Sequence, residues 1–360
     1  DLNREIPDIA LRTGSQLVAS FTASKLRWLA DNEQENANKV AAIALPHDWL
    51  SWKLSGAKSL DTLFTDRSDA SGTGYFDSVK NEYCLDILAT AIRNSRKVTL
   101  PKVVVPNQFG ATSIDSIPIA AGAGDNAGAA LGLGASLGDL VISLGTSGTA
   151  FAVSKSSTHD SSGEVAGFAD ATGNFLPLAC TLNAAKIFNT VARSLSLSFE
   201  EFSSLALSAK AGAEGLRMIP HFDGERTPNK PRAKGSFHGI THSNFTKENI
   251  ARASIEGVIA GMIYAARAVE RLGVSYSRIL IIGGAAKNSA VQQISADLFG
   301  RTIHIPAIGE YVADGAAKQA AWALSGKENP PNWSLGEIKE IYSKGSDPEI
   351  VESYMELISN

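Results

Sequence analysis

The chain has 360 residues, a net charge of −4 and a hydrophobic fraction of 44%. This length suggests two domains of ordinary size, and the apolar content is sufficient for their cores. The acidic balance, with no basic stripe, argues against a nucleic-acid partner. We find neither an apolar run of membrane-spanning length nor a signal peptide. Cys84 and Cys180 lie far apart without metal-type spacing, which indicates a reducing, cytoplasmic setting.

The first third of the chain predicts helices followed by short strands. Residues 14–60 are typical of helices, and their aromatic side chains fit a core better than a ligand platform. Residues 65–74 are small and polar, which favours a plain surface loop over a functional one. A helix is predicted at 83–92, and strands are predicted at 103–105 and 117–120.

A turn with a single carboxylate follows the last of these strands. Residues 122–126 read Gly-Ala-Gly-Asp-Asn, and an Ala/Gly-rich helix is predicted from residue 126 to residue 133. The glycines make this turn flexible and leave its carboxylate, Asp125, as the chemical group that it presents.

A second glycine-bearing turn joins two predicted strands. The apolar run 140–142 leads into Ser-Leu-Gly-Thr-Ser-Gly at 143–148, and a further apolar run follows at 149–153. Such a hairpin presents backbone N–H groups and hydroxyls without bulky side chains, which suits phosphate oxygens. A helix is predicted from residue 183 to residue 194, and Thr246 is predicted to cap a long one.

A third glycine-bearing turn follows the apolar strand 278–282. It reads Gly-Gly-Ala-Ala-Lys-Asn at 283–288 and precedes a helix that Gly300 is expected to end. A glycine pair at such a turn lets a flat ligand approach the backbone closely. One carboxylate, one phosphate turn and one nucleotide turn together suggest phosphoryl transfer from ATP to a hydroxyl. The alternating strands and helices predict α/β architecture.

Other chemistries fit the sequence poorly. Residues 132–138 resemble a dinucleotide fingerprint, but the third glycine is one place late and no strand precedes it. A Walker-type phosphate loop is absent from the sequence. His238 and His242 have no third ligand nearby, which argues against zinc. Ser147 lies in Gly-Thr-Ser-Gly, which is not the elbow of a serine hydrolase.

The three turns, in this order, resemble the catalytic, phosphate and adenosine motifs of the FGGY family of carbohydrate kinases. Residues 65–73, 223–228, 235–256 and 310–317 are also similar to members of this family, and the resemblance covers nearly all of the chain. It implies an actin-like ATPase fold, in which two ribonuclease-H-like domains flank a cleft.

The resemblance also implies a division of the chain. Residues 1–136 would be the C-terminal part of the first, sugar-binding domain, and residues 137–360 would be the second, nucleotide-binding domain. Family members open with an Asp-x-Gly-Thr type motif that binds phosphate and magnesium, and no such motif precedes Asp1. We therefore expect the first domain to be incomplete in this chain and the metal ligands to lie outside it.

The implied reaction is ATP-dependent phosphorylation of a sugar, and we expect D-xylulose to be converted to D-xylulose 5-phosphate. Mg²⁺ is expected with ATP on chemical grounds. Asp125 would bind the sugar and act as general base; the alternative role of this aspartate is to cap the helix that follows it. Asn126 would bind a sugar hydroxyl. The residues expected to bind ATP are Gly145, Thr146, Ser147, Asn189, Gly283, Gly284 and Asn288.

Several alternatives stay open at this point. A ribulose, gluconate or glycerol kinase of the family would use the same motifs. Actin and Hsp70-type chaperones share the architecture, but the Gly-Asp-Asn turn and residues 224–228 argue against them. A nucleotide-binding fragment without kinase activity is a third alternative. Members of the family often form dimers, so the resemblance leaves a homodimer as an open alternative to a monomer.

Overall fold

The computed structural model describes residues 1–94, 97–333 and 336–359, in which strands and helices alternate. The helices are α1 Leu2–Glu5, α2 Ile9–Thr13, α3 Thr22–Asn32, α4 Gln34–Ala37, α5 Pro46–Leu54, α6 Arg67–Ser71, α7 Leu85–Ile92, α8 Asp125–Leu133, α9 Ala185–Ser194, α10 Phe199–Ser208, α11 Lys247–Arg271, α12 Ser289–Phe299, α13 Tyr311–Ser325 and α14 Pro348–Ser359. The strands are β1 Phe64–Asp66, β2 Phe76–Asp77, β3 Glu82–Tyr83, β4 Lys102–Val104, β5 Phe109–Thr112, β6 Pro118–Ala120, β7 Asp139–Leu144, β8 Gly148–Ala152, β9 Val165–Ala169, β10 Phe175–Thr181, β11 Arg217–Ile219, β12 Ser236–His238, β13 Arg278–Ile282, β14 Ile303–Pro306 and β15 Ile338–Ile341.

The predicted helix ends are confirmed where capping chemistry marks them. Thr246 accepts a hydrogen bond from the backbone N–H of Asn249 and so caps α11. Gly300 ends α12 in the left-handed conformation, as predicted, and the structure shows the same kind of end at Gly326 in α13; glycine adopts this conformation without steric cost. Within the described residues, no helix combines the length and the hydropathy that crossing a bilayer requires.

The chain divides into two compact units. Unit 1 comprises Asp1–Leu137, Val153–Pro177 and Ile308–Leu335. Unit 2 comprises Gly138–Ala152, Leu178–Ala307 and Gly336–Asn360. The predicted division at residue 136 assigns different binding roles to two parts of the chain, and it stays a prediction.

In unit 1, helices α8 and α13 pack with their backbones in contact. A Cβ atom on Gly132 would lie 2.0 Å from the carbonyl oxygen of Tyr311. A Cβ atom on Gly315 would lie 1.9 Å from the carbonyl oxygen of Gly128. The Ala/Gly-rich sequence of α8 therefore serves close packing, which outweighs the low helix propensity of glycine. This contact fixes the helix that begins at Asp125.

In unit 2, a sheet brings the ends of two parallel strands to one edge. The strands of this sheet that lie wholly or partly in unit 2 follow the order β15-β14-β13-β7-β8-β10. As predicted, β7 and β8 form an antiparallel hairpin, with Leu144 opposite Gly148. Strand β13 runs parallel to β7, with Ile282 opposite Ser143. The segments that follow β7 and β13 therefore leave the sheet side by side.

A buried carboxylate, Glu225, organises the chain after β10. Glu225 is 3% exposed and accepts hydrogen bonds from the N–H groups of Leu182 and Arg226, at 2.6 and 2.8 Å. It also accepts one from the side chain of Asn183, at 2.9 Å. Burial raises the pKa of Glu225, and these hydrogen bonds oppose that rise. The carboxylate thus holds two separate segments together.

The segment that Glu225 holds supports the β7–β8 turn. The N–H of Ala185 donates to the carbonyl of Gly145 at 3.0 Å, and the N–H of Ala184 donates to that of Thr146 at 3.3 Å. Because these amides directly follow Asn183, the position of the turn depends on the anchoring of residues 182–183.

Replacing Gly315 with alanine should destabilise unit 1. The added Cβ would overlap the backbone of α8, and overpacking of this kind costs about 1–3 kcal/mol. We expect a lower Tm in thermal unfolding followed by circular dichroism. The control is Gly261→Ala in α11, where a Cβ would meet no atom within 4 Å. Equal Tm values for the two variants would contradict the close packing of α8 on α13.

Replacing Glu225 with glutamine should destabilise unit 2. The amide would offer an N–H group where Leu182, Asn183 and Arg226 already donate, and a buried donor without an acceptor costs about 1–3 kcal/mol. The control is Asp223→Asn, two residues away, whose exposed ion pair with Lys186 spans 2.8 Å and is worth at most about 1 kcal/mol. A similar change of Tm in both variants would show that Glu225 does not anchor the segment.

Candidate functional site

Asp125, the predicted general base, and Asn126, predicted to bind a sugar hydroxyl, lie together at the start of α8. Asp125 is the first residue of the helix and is exposed, while the capping position before it is Gly124. Its Oδ1 accepts hydrogen bonds from the backbone N–H and the side-chain amide of Asn126, at 2.7 and 2.8 Å. Helix capping, the alternative role of Asp125, is wrong, because Gly124 occupies the capping position and no side chain caps the helix there.

The turn before Asp125 is held by a side chain that the sequence reasoning missed. Gln319, on α13 and 2% exposed, binds both polar groups of the Gly122 backbone. Its Oε1 accepts from the N–H of Gly122 at 2.9 Å, and its Nε2 donates to the carbonyl at 2.6 Å. Two hydrogen bonds from one rigid amide fix the turn in position and orientation.

The predicted phosphate turn lies at the end of β7 in unit 2. Gly145 is half-buried, and Thr146 and Ser147 are exposed between the two strands of the hairpin. Helix α9 begins where Ala184 and Ala185 bond to this turn, and it carries the exposed Asn189 one turn further on. The structure thus brings the turn and the helix of Asn189 together.

The predicted adenosine turn lies beside the phosphate turn. Gly283 has φ +93°, and a Cβ atom there would lie 2.7 Å from the backbone of Leu144, so this position requires glycine. Gly284 is exposed and faces open space. The side chain of Asn288 already caps α12 by accepting from the N–H groups of Ala290 and Val291 at 2.9 and 3.1 Å.

In unit 1, residues 65–74 contain β1 and α6, so the predicted surface loop is wrong. Asp66, 3% exposed, caps α6 by accepting from the N–H groups of Ser68 and Asp69, at 2.6 and 3.1 Å. An aspartate at the capping position with a second one three residues later is a helix-start signal that the composition argument overlooked.

A charged cluster lies beside this helix start, formed by His47, Asp48, Asp66 and Asp69. The Nε2 atom of His47 lies 3.3 Å from Asp48 and 3.4 Å from Asp66, and its Nδ1 bonds to Asp69. Burial alone would lower the pKa of His47, but the hydrogen bond to Asp69 and the three carboxylates raise it to about 9. Burial and the charge of Asp69 raise the pKa of Asp66. The imidazole is therefore a cation at neutral pH.

This cluster does not fit Mg²⁺. Within the described ranges, His47, Asp66 and Asp69 form the group whose potential ligand atoms all lie within 4.8 Å of one another. Mg²⁺ takes oxygen ligands in near-octahedral geometry, whereas this group includes an imidazole, whose positive charge repels a second cation and offsets one of the carboxylates. We assign no step of the chemistry to a metal held here.

Family models match both parts of the chain. Residues 3–132 match the N-terminal domain of the FGGY family of carbohydrate kinases, and residues 140–324 match its C-terminal domain. The chain is 42% identical to a xylulose kinase from Streptomyces rubiginosus over 89% of its own length and 65% of that protein's. It is 31% identical to a xylulose kinase from Escherichia coli, over 90% and 68% of the two lengths. The chain thus spans about two thirds of the length of these curated relatives.

A solved structure is similar along almost the whole chain. The xylulose kinase from Bifidobacterium adolescentis superposes with a TM-score of 0.90 at 42% identity, over 97% of this chain and 74% of that one. The predicted actin-like ATPase fold of the FGGY sugar kinases is thereby confirmed. From the two family models and this shared fold, we conclude that the chain belongs to the FGGY family of carbohydrate kinases.

Proposed function

We propose that this protein phosphorylates D-xylulose with ATP and gives D-xylulose 5-phosphate and ADP. The observation that carries the proposal is the 42% identity to a xylulose kinase over 89% of the chain. Members of the same family that act on other sugars are the alternatives, and their motifs would be the same.

Asp125 is proposed to accept the proton of the sugar hydroxyl while that oxygen attacks the γ-phosphorus of ATP and ADP leaves. Its exposure at the first residue of α8, and its bonds to the neighbouring Asn126, support this role. A base at this point aligns the hydroxyl and removes its proton as the new bond forms. Asn126 is proposed to bind a second sugar hydroxyl.

The ATP site is proposed to lie in unit 2, at the sheet edge where β7 and β13 end. Gly145, Thr146 and Ser147 would bind phosphate through backbone N–H groups and hydroxyls, because phosphoryl transfer depends on positioning and charge stabilisation. Gly283 and Gly284 would lie against the adenosine. Asn189 and Asn288 are the remaining residues proposed to bind the nucleotide. Asn288 would do so through the hydrogen-bonding capacity that capping α12 does not use.

ATP is the co-substrate that membership of a kinase family implies. Mg²⁺ is proposed on chemical grounds to bind the ATP phosphates, and we assign no protein ligand to it. A cytoplasmic setting is proposed from the sparse cysteines, and the homodimer stays a prediction.

The first test is ADP release from the protein with Mg-ATP, with and without D-xylulose. We expect strong xylulose-dependent release, which Asp125→Asn should lower by about 10²- to 10⁴-fold through kcat. A panel of D-ribulose, D-gluconate and glycerol distinguishes the sugars.

Asp115→Asn is the matched control, because Asp115 is an exposed carboxylate between β5 and β6. It should leave kcat unchanged. Equal activity of the Asp125 variant and wild type would exclude Asp125 as the base. ATP binding without ADP release for any sugar would favour the nucleotide-binding protein without kinase activity.

A further inference from the structure

His47 is a cation that three carboxylates surround. Asp48 faces it from the same helix, α5, Asp66 from the end of β1, and Asp69 from α6. The side chain of His47 is 29% exposed, whereas those of Asp48 and Asp66 are 2% and 4% exposed. Buried carboxylates without a counter-charge are costly, so the geometry of these groups depends on the imidazolium.

The turn before Asp125 rests directly on this cluster. Gly122 has φ +95°, and a Cβ atom there would lie 2.9 Å from Nε2 of His47 and 3.9 Å from Asp66. A Cβ atom on Gly124 would lie 2.8 Å from Oδ1 of Asp69. Two residues of the turn therefore lie against the cluster through backbone atoms alone.

A hydrogen-bond chain joins the cluster to the turn. The hydroxyl of Ser68 donates to Oδ1 of Asp66 and accepts from the backbone N–H of Gly124, at 2.9 Å in the second case. A displacement of Asp66 would therefore move Gly124, the residue that precedes Asp125 in the chain.

We propose that His47 is a positioning residue for phosphoryl transfer, because its charge holds Asp66 and Asp69 where they support the turn that carries Asp125. The proposal rests on the function proposed above. Gln319 holds Gly122 through the hydrogen bonds described earlier. His47 would fix the side of the turn that Gly124 occupies, and hence the start of α8.

The test compares two replacements that differ in charge. His47→Gln removes the cation, so the turn should shift and kcat should fall roughly 10²-fold, the loss typical of a misplacement of about 1 Å. KM for ATP should stay unchanged, because ATP is proposed to bind in unit 2. His47→Lys keeps a positive charge and should retain most of kcat. The control is His242→Gln, an exposed histidine of unit 2.

The pH profile separates positioning from a general loss of structure. In wild type kcat should fall as pH rises through about 9, where His47 loses its proton. In His47→Lys this fall in kcat should move to higher pH, because the pKa of a lysine side chain is higher than that of a histidine. The stability that the His47 proton contributes is complete below about pH 6.5 and is lost as pH rises through 9. Thermal unfolding should therefore show a matching decline in wild type.

Amide hydrogen exchange of residues 122–126 provides a readout that does not need activity. Exchange should be faster in His47→Gln than in wild type and His47→Lys. Wild-type kcat and wild-type exchange in His47→Gln would overturn the proposal, and so would equal losses in the glutamine and lysine variants. If wild type releases no ADP with any sugar, the proposed function fails, and exchange alone decides whether His47 holds the turn.

Discussion

The parallel pairing of β7 with β13 is the constraint on which the proposed nucleotide site depends. At the first residues of the two strands, Arg278 binds Asp139 through two hydrogen bonds of 2.7 and 2.6 Å. The paired hydrogen bonds between a planar guanidinium and a buried carboxylate tolerate little change in geometry. A shift of the strand register by one residue would also turn every side chain to the opposite face of the sheet. This pair therefore fixes the register that brings Gly283 against Leu144 at the other end.

In unit 1 the equivalent constraint is the contact between α8 and α13. Helix backbones approach this closely where glycines replace side chains at the crossing, as Gly132 and Gly315 do here. The same contact brings Gln319 to Gly122, since Gln319 lies one turn beyond Gly315 on α13. The packing of two helices and the fixation of the turn are consequences of one arrangement.

The sequence predicted the elements whose signals are local. The hairpin at Gly145, the cap at Thr246 and the helix end at Gly300 follow from glycine and hydroxyl chemistry within a few residues. Family membership and the fold were predicted from the resemblance of the ordered motifs to those of the FGGY family. The charged cluster was missed because its members lie on separate elements, and nothing local indicates that His47 meets Asp66. The helix α6 was missed because its short polar sequence resembles a loop, although Asp66 is a typical cap.

The hydrogen bonds of Gln319 also bear on the order in which the chain acquires structure during synthesis. Gly122 and Gln319 are 197 residues apart in sequence, and the last segment of unit 1 begins at Ile308. A ribosome makes the chain from its N-terminus, at about 5–20 residues per second. The turn before Asp125 therefore lacks these bonds until most of unit 2 has been translated. Most of unit 1 is therefore translated before its contacts with α13 can form, and its fold is complete only after that distant helix has been made.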